Sequence, residues 1–134
     1  MTQDSLTAVQ YGIGPIGSRI VNAAHRTGVE FVGAIDIDPE KVDEDLGEVA
    51  GVGEELGVEV TDDAAAALAT EPDVVFHSTV SSVEVAAPQL KEALEAGASV
   101  VSTTEELSYP WWSNPAVAAE LDEAAEAHGG TVLG

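Results

Sequence analysis

TAVQYGIGPIGSRI, residues 7–20, passes from an apolar segment through three glycines into a stretch with helical spacing. Gly12, Gly14 and Gly17 are spaced G-x-G-x-x-G, a pattern that can cradle a pyrophosphate. The spacing alone is a weak signal; its context decides what it means. Residues 7–11 read as a short strand that runs straight into the turn. From Ile16 to about Thr27 the pattern is helical, with Ile16, Ile20 and Ala23/Ala24 on one face. Gly28 follows, where a left-handed cap belongs.

The alternation continues downstream. VEFVGAI (Val29 to Ile35) reads as a buried strand ending in Asp36. DIDPEKVDEDLGEVAGVGEELG reads as loop plus a short helix, and Val58 to Val60 as a short strand. DDAAAALA is helix-prone, with Asp62 or Asp63 as its cap. Asp73 to Thr79 is the next strand. Val83, Ala86/Ala87, Leu90 and Leu94 then fall at helical spacing up to Gly97. Ala98 to Ser102 is a strand. Pro115 suits a first helical position, with Val117, Leu121, Ala124 and His128 following at helical spacing. Thr131 to Leu133 is a last short strand. Strands apolar throughout, separated by helices, predict a doubly wound, Rossmann-type parallel sheet in three αβα layers with about six strands. With 134 residues, one domain spanning 1–134 is expected.

In that frame each glycine has a task. Gly12 permits the tight turn, Gly14 lets the backbone approach a diphosphate, and Gly17 lets the helix pack close to its strand. Ile13 and Ile16 offer amides, and Pro15 sets the helix entry. The helix N-terminus adds positive dipole charge. Asp36 lies close to the roughly 20 residues beyond the glycines at which a ribose-binding acid is expected. A carboxylate there accepts from both adenosine ribose hydroxyls and repels a 2′-phosphate. NAD is therefore expected over NADP, with NADP the alternative. Ligands in such sheets sit beyond the carboxyl ends of the strands. That selects Ser78 and Thr79 after the fourth strand, and Thr103 and Thr104 after the fifth. For each hydroxyl, capping of the following turn is an equal alternative.

Charge and composition exclude much else. Twenty-five acids face four bases, a net charge of −21. Such a surface repels nucleic acid and anionic membranes. The acids are spread along the chain, unlike a disordered acidic tail. High salt screens the self-repulsion within about 3 Å at 1 M, so a halophilic source is expected. There is no cysteine, which excludes disulfides, thiolate zinc sites and cysteine nucleophiles. His25, His77 and His128 lack metal-like spacing, so no metal site is expected. MTQDSLT is unlike a signal peptide, and a cytoplasmic protein is expected. Adjacent Glu105 and Glu106 point apart and read as solvated loop. Tyr109, Trp111 and Trp112 read as one side chain closing the core and another meeting a second domain or subunit. No catalytic residue is identified.

The segment VVSTTEELSYPWWSNPAVAAELDEAAEAHGGTVLG, joined with DIDPEKVDEDLGEVAG, resembles 2,4-diaminopentanoate dehydrogenase and the dihydrodipicolinate-reductase-like proteins, over nearly the whole chain. The resemblance implies the amino-terminal NAD(P)-binding domain of an oxidoreductase acting on C–N bonds of small amino acids or diamines by hydride transfer. It implies a second domain, not in this chain, that carries most of the substrate site and helps the family oligomerise. Thr104 stands where many relatives have cysteine, so no thiol role carries over. The alternative is a free-standing dinucleotide-binding module that senses or regulates without catalysis.

Overall fold

Thr7–Tyr11 forms strand β1 at the centre of a sheet, and its alternating side chains serve two cores. In the computed structural model, which describes residues 6–79, 82–104, 107 and 114–134, Ala8 packs on one face and Val9 on the other. The remaining strands are β2 (Glu30–Ile35), β3 (Val60–Thr61), β4 (Val74–His77), β5 (Ser99–Ser102) and β6 (Val132–Leu133). Their order is β3-β2-β1-β4-β5-β6, and every pairing is parallel. The expected doubly wound sheet of six strands is present, with its switch point between β1 and β4.

Helices cover both faces. On one side lie α1 (Pro15–Arg26) and the short α2 (Leu46–Val49), burying Val21 and Leu46 against Ala8, Phe31, Ala34, Val60 and Val74. On the other lie α3 (Ala64–Leu68), α4 (Val83–Glu95) and α5 (Pro115–His128). Leu68, Leu90, Leu94 and Leu121 meet Val9, Val75 and Val100 there. Pro115 stands in the first turn of α5, and Gly28, Gly97 and Gly129 follow their helices with positive φ, as the sequence predicts.

Two local expectations are corrected. The inward face of α1 is Gly17 and Val21; Ile16 is 57% exposed. A Cβ on Gly17 would overlap the Gly12 carbonyl oxygen. Close approach at Gly17 rotates the helix, and the apolar periodicity loses to that contact. The third strand begins at Val60 rather than Val58. The amide of Val58 donates to Asp45 Oδ1 (3.1 Å), and its carbonyl accepts from Leu46, so this residue serves the preceding loop.

Asp45 organises that loop. Its carboxylate caps α2 through the amide of Gly47 and accepts from Leu56, Gly57 and Val58 at 2.8–3.1 Å. Burial pushes its pKa up, but the four backbone donors outweigh that and hold it below the ordinary carboxylate value. Asp63 caps α3 through Ala66, settling the choice between Asp62 and Asp63.

Candidate dinucleotide site

The turn after β1 is held from three directions. Gly12 has φ +96°, and a Cβ there would lie 2.8 Å from the Ser78 carbonyl oxygen. Its own carbonyl accepts from Ser78 Oγ (2.9 Å) and from Gln10 Nε2 (2.9 Å). Gln10 is fully buried, and its Oε1 is the one buried side-chain oxygen without a partner among the described residues. Ile13 is gripped at both ends of its backbone. Its amide donates to Asp36 Oδ2 (2.9 Å), and its carbonyl accepts from Lys41 Nζ (2.8 Å).

Gly14 differs from its neighbours. Its backbone is extended, at φ −85° and ψ −162°, open to any residue. A Cβ there meets nothing within 4 Å. The fold explains Gly12 and Gly17 but leaves Gly14 without an internal reason to be glycine. Its amide donates to no described residue. The first-turn amides of Ile16 and Gly17 have no acceptor within the helix, and Gly14 offers no side-chain cap. This helix start presents donors and positive dipole charge outward, which fits a diphosphate.

A cleft of about 360 Å³ opens over this turn at the carboxyl ends of β1, β2 and β4. Gly12, Ile13, Gly14, Asp36, Ser78 and Thr79 all line it. Of the remaining expected residues, Pro15 and Ile16 are exposed at the helix entry and Gly17 is buried beneath it. Thr103 is exposed and Thr104 buried; neither lines the cleft. Glu105, Glu106, Tyr109, Trp111 and Trp112 lie outside the described residues.

Asp36 stands at the rim with 14% of its side chain exposed. Its Oδ1 accepts the amide of Asp38 (2.9 Å), and Lys41 Nζ lies 3.9 Å from its Oδ2. Ser78 serves the turn itself, through its bond to Gly12. Thr79 belongs to a network at the ends of β4 and β5. His77 Nδ1 meets Ser102 Oγ (2.8 Å), and its Nε2 meets Gln89 Oε1 (2.6 Å) and Thr79 Oγ1 (2.9 Å). Thr79 Oγ1 donates to Gln89 Oε1 (2.7 Å), and the Thr104 amide to Ser102 Oγ (3.1 Å). Burial holds the His77 pKa below its ordinary value, against the opposing pull of Gln89, so the ring is neutral at pH 7. Tyr11 packs edge-on to His77 at 5.5 Å. Burial, and then the Glu92 carboxylate that accepts its hydroxyl, raise its pKa.

Lys41, Gln89 and Gln10 escape a reading by motif. One sequence signal bears on the site as a whole: no Asp or Glu occurs between Asp4 and Glu30, in a chain of 25 acids. That stretch contains β1, the glycine turn and α1, with Arg19 and Arg26, two of the four bases. The helix that follows the glycine turn is thus the part kept free of acids.

The sequence model for the dihydrodipicolinate reductase N-terminus matches residues 9–130. An amine dehydrogenase of Streptomyces virginiae is 32% identical over 100 residues, 72% of this chain and 28% of that protein. The structure of amine dehydrogenase from Mycobacterium smegmatis superposes with a TM-score of 0.92 at 39% identity, over 96% of this chain and 38% of that one. The WlbA dehydrogenase from Bordetella pertussis, solved with NADH and UDP-GlcNAcA, gives a TM-score of 0.70 at 20% identity, over 96% of this chain and 36% of that one. At that identity the likeness shows the fold alone.

Sheet order, glycine turn and these matches define an NAD(P)-binding domain of oxidoreductase type. Within that class the chain belongs to the dihydrodipicolinate reductase N-terminal family. It spans well under half the length of the amine dehydrogenases it matches.

Proposed function

We propose that residues 1–134 hold NAD for a dehydrogenase or reductase acting on C–N bonds of small amines, amino acids or diamines. The observation that carries the cofactor part is Gly14, a glycine with ordinary backbone angles and no internal neighbour, at an uncapped helix start. A ligand that approaches the backbone accounts for it. Asp36 supports NAD over NADP, because its carboxylate stands where the adenosine ribose hydroxyls would lie. The names of the amine dehydrogenase relatives support the C–N chemistry. The cofactor would supply the hydride. This chain's residues would bind and orient it: the Gly14, Ile16 and Gly17 amides at the diphosphate, Asp36 at the ribose. The substrate site is assigned to the part of the relatives that this chain does not match, and the functional unit to a homo-oligomer.

The charge of −21 supports a salt-rich working environment, and a cytoplasmic place accompanies it. No described helix is long and apolar enough to cross a membrane.

Calorimetric titration with NAD and NADP in molar salt tests the reading. NAD binding well above NADP, abolished by Gly14→Val and weakened by Asp36→Ala, is expected. NADP binding as tight as NAD would overturn the role of Asp36. A folded chain that binds neither would overturn the cofactor assignment.

A further inference from the structure

We propose that Gln89, on the second turn of α4, is a cofactor-binding residue whose carboxamide NH2 donates to the nicotinamide-side ribose. This rests on the dinucleotide reading above and adds a contact that the glycine motif does not contain.

Gln89 Oε1 has two lone pairs, and both are engaged. One receives Thr79 Oγ1 at 2.7 Å, and the other faces His77 Nε2 at 2.6 Å. His77 is 1% exposed, and its Nδ1 meets Ser102 Oγ, whose own hydroxyl donates to Thr104 Oγ1 (2.9 Å). Contacts from Thr79 and His77 on one oxygen fix the plane of the carboxamide. The amide nitrogen is therefore placed as firmly as the oxygen.

That nitrogen donates to no described residue. It is also absent from the buried unpartnered atoms, among which only Gln10 Oε1 occurs, so it is open rather than sealed in. Gln89 lines the same cleft as Gly12, Gly14, Asp36 and Thr79. A fixed, unused pair of N–H donors on the cleft wall is a feature that a ligand oxygen satisfies.

Position along the cleft names the oxygen. Asp36 follows β2, the glycine turn follows β1, and Gln89 stands over the end of β4 through its bond to Thr79. These strands are neighbours in the order β2-β1-β4. A dinucleotide with its adenosine ribose at Asp36 and its diphosphate at the start of α1 continues toward β4 with its second ribose. Ribose hydroxyls accept hydrogen bonds, and a neutral carboxamide suits them better than a charged group would.

The test uses three ligands on the chain in molar salt: ADP, ADP-ribose and NAD. ADP ends at the diphosphate, whereas ADP-ribose adds the second ribose. Gln89→Met removes both donors and keeps the length of the side chain. The variant is expected to bind ADP as the wild type does. It should lose roughly three- to tenfold in affinity for ADP-ribose and NAD, the effect of one hydrogen bond. Gln89→Glu, which sets a carboxylate there, should lose at least as much on the same two ligands. Unchanged ADP-ribose binding in both variants overturns the assignment, and so does an equal loss on ADP, which would mark a structural role. A wild-type chain that fails to bind ADP overturns the dinucleotide reading itself, so the two failures are told apart.

Discussion

Lys41 Nζ lies 2.8 Å from the carbonyl oxygen of Ile13. The amide of that same residue donates to Asp36 Oδ2. The second position of the glycine loop is therefore tied at both ends to the segment after β2. One charged side chain from that segment donates and another accepts.

The first prediction follows from this clamp. Lys41→Met removes the donor to Ile13 and the cation 3.9 Å from both Asp36 and Asp38. Lys41 is partly exposed, so the loss of stability should be about 1 kcal/mol, or roughly 3–5 °C in Tm. Because the clamp sets the loop and not the 2′-position, NAD and NADP affinities should fall by the same factor. Titration of both cofactors checks this. A selective loss of NADP would show instead that Lys41 reaches the 2′-phosphate.

Gly14 and Gly17 make opposite predictions, although the motif treats them alike. Gly14→Ala adds a methyl group that meets nothing within 4 Å. Stability should change by less than about 1 kcal/mol, while NAD affinity falls at least tenfold. Gly17→Ala forces a methyl group into the Gly12 carbonyl and against Ser78 Oγ. Overpacking of that kind costs about 1–3 kcal/mol, so this variant should lose stability first. Thermal melts of the free chains, paired with NAD titrations, separate the two.

These contrasts show what could be read from the residues alone. The sheet, its parallel pairing and the glycine turn were legible because apolar strands, glycine spacing and an acid after β2 all point the same way. Asp36 could be placed at the cleft by its spacing from the glycines, and Ser78 and Thr79 by one topological rule. Thr103 and Thr104, which the same rule selects, do not line the cleft, because β5 lies one strand further from it than β4. The inward face of α1 was misread, since a close glycine contact leaves no mark on hydrophobic periodicity. Lys41 and Gln89 were invisible for another reason. Each acts through a partner far off in sequence, Ile13 for one and His77 for the other. Nothing in local spacing encodes such pairs.

Asp45 carries a pH prediction. Its folded pKa lies below its ordinary value of 3.8, despite the upward push of burial, because four backbone amides donate to it. A depressed carboxylate contributes stability above its unfolded pKa, and loses that contribution as pH falls through the folded value. Asp45→Asn should therefore be less stable than wild type at pH 7, by about 1 kcal/mol as for other lost caps. The gap should begin to narrow below about pH 3.8 and close as pH falls through the lower folded value, where the wild-type carboxyl also becomes neutral. Denaturant melts of both proteins at neutral and acid pH, in the same salt, measure this. A gap constant with pH would show that the loop depends on shape rather than on charge.

The last prediction concerns salt and concerns binding more than folding. An NAD molecule carries a negative diphosphate, and it approaches a chain of net charge −21. Around the cleft, Asp36 and Asp62 line the wall and Asp38 lies beside Lys41, the one cation among its lining residues. Lys41 is already engaged by Ile13 and both nearby acids. The local attraction available is that of the α1 amides, which act within hydrogen-bond range and survive screening. The repulsion is long-ranged, and at about 10 Å of Debye length in 0.1 M salt it extends across the cleft; at about 3 Å in 1 M it does not. NAD affinity should therefore rise with salt, several-fold between about 0.1 and 1 M, the reverse of binding driven by basic side chains. Isothermal titration across that range, with thermal melts to keep only fully folded samples, decides it. Affinity that falls steadily with salt would place a net positive potential at the cleft and remove the electrostatic argument for a salt-adapted site.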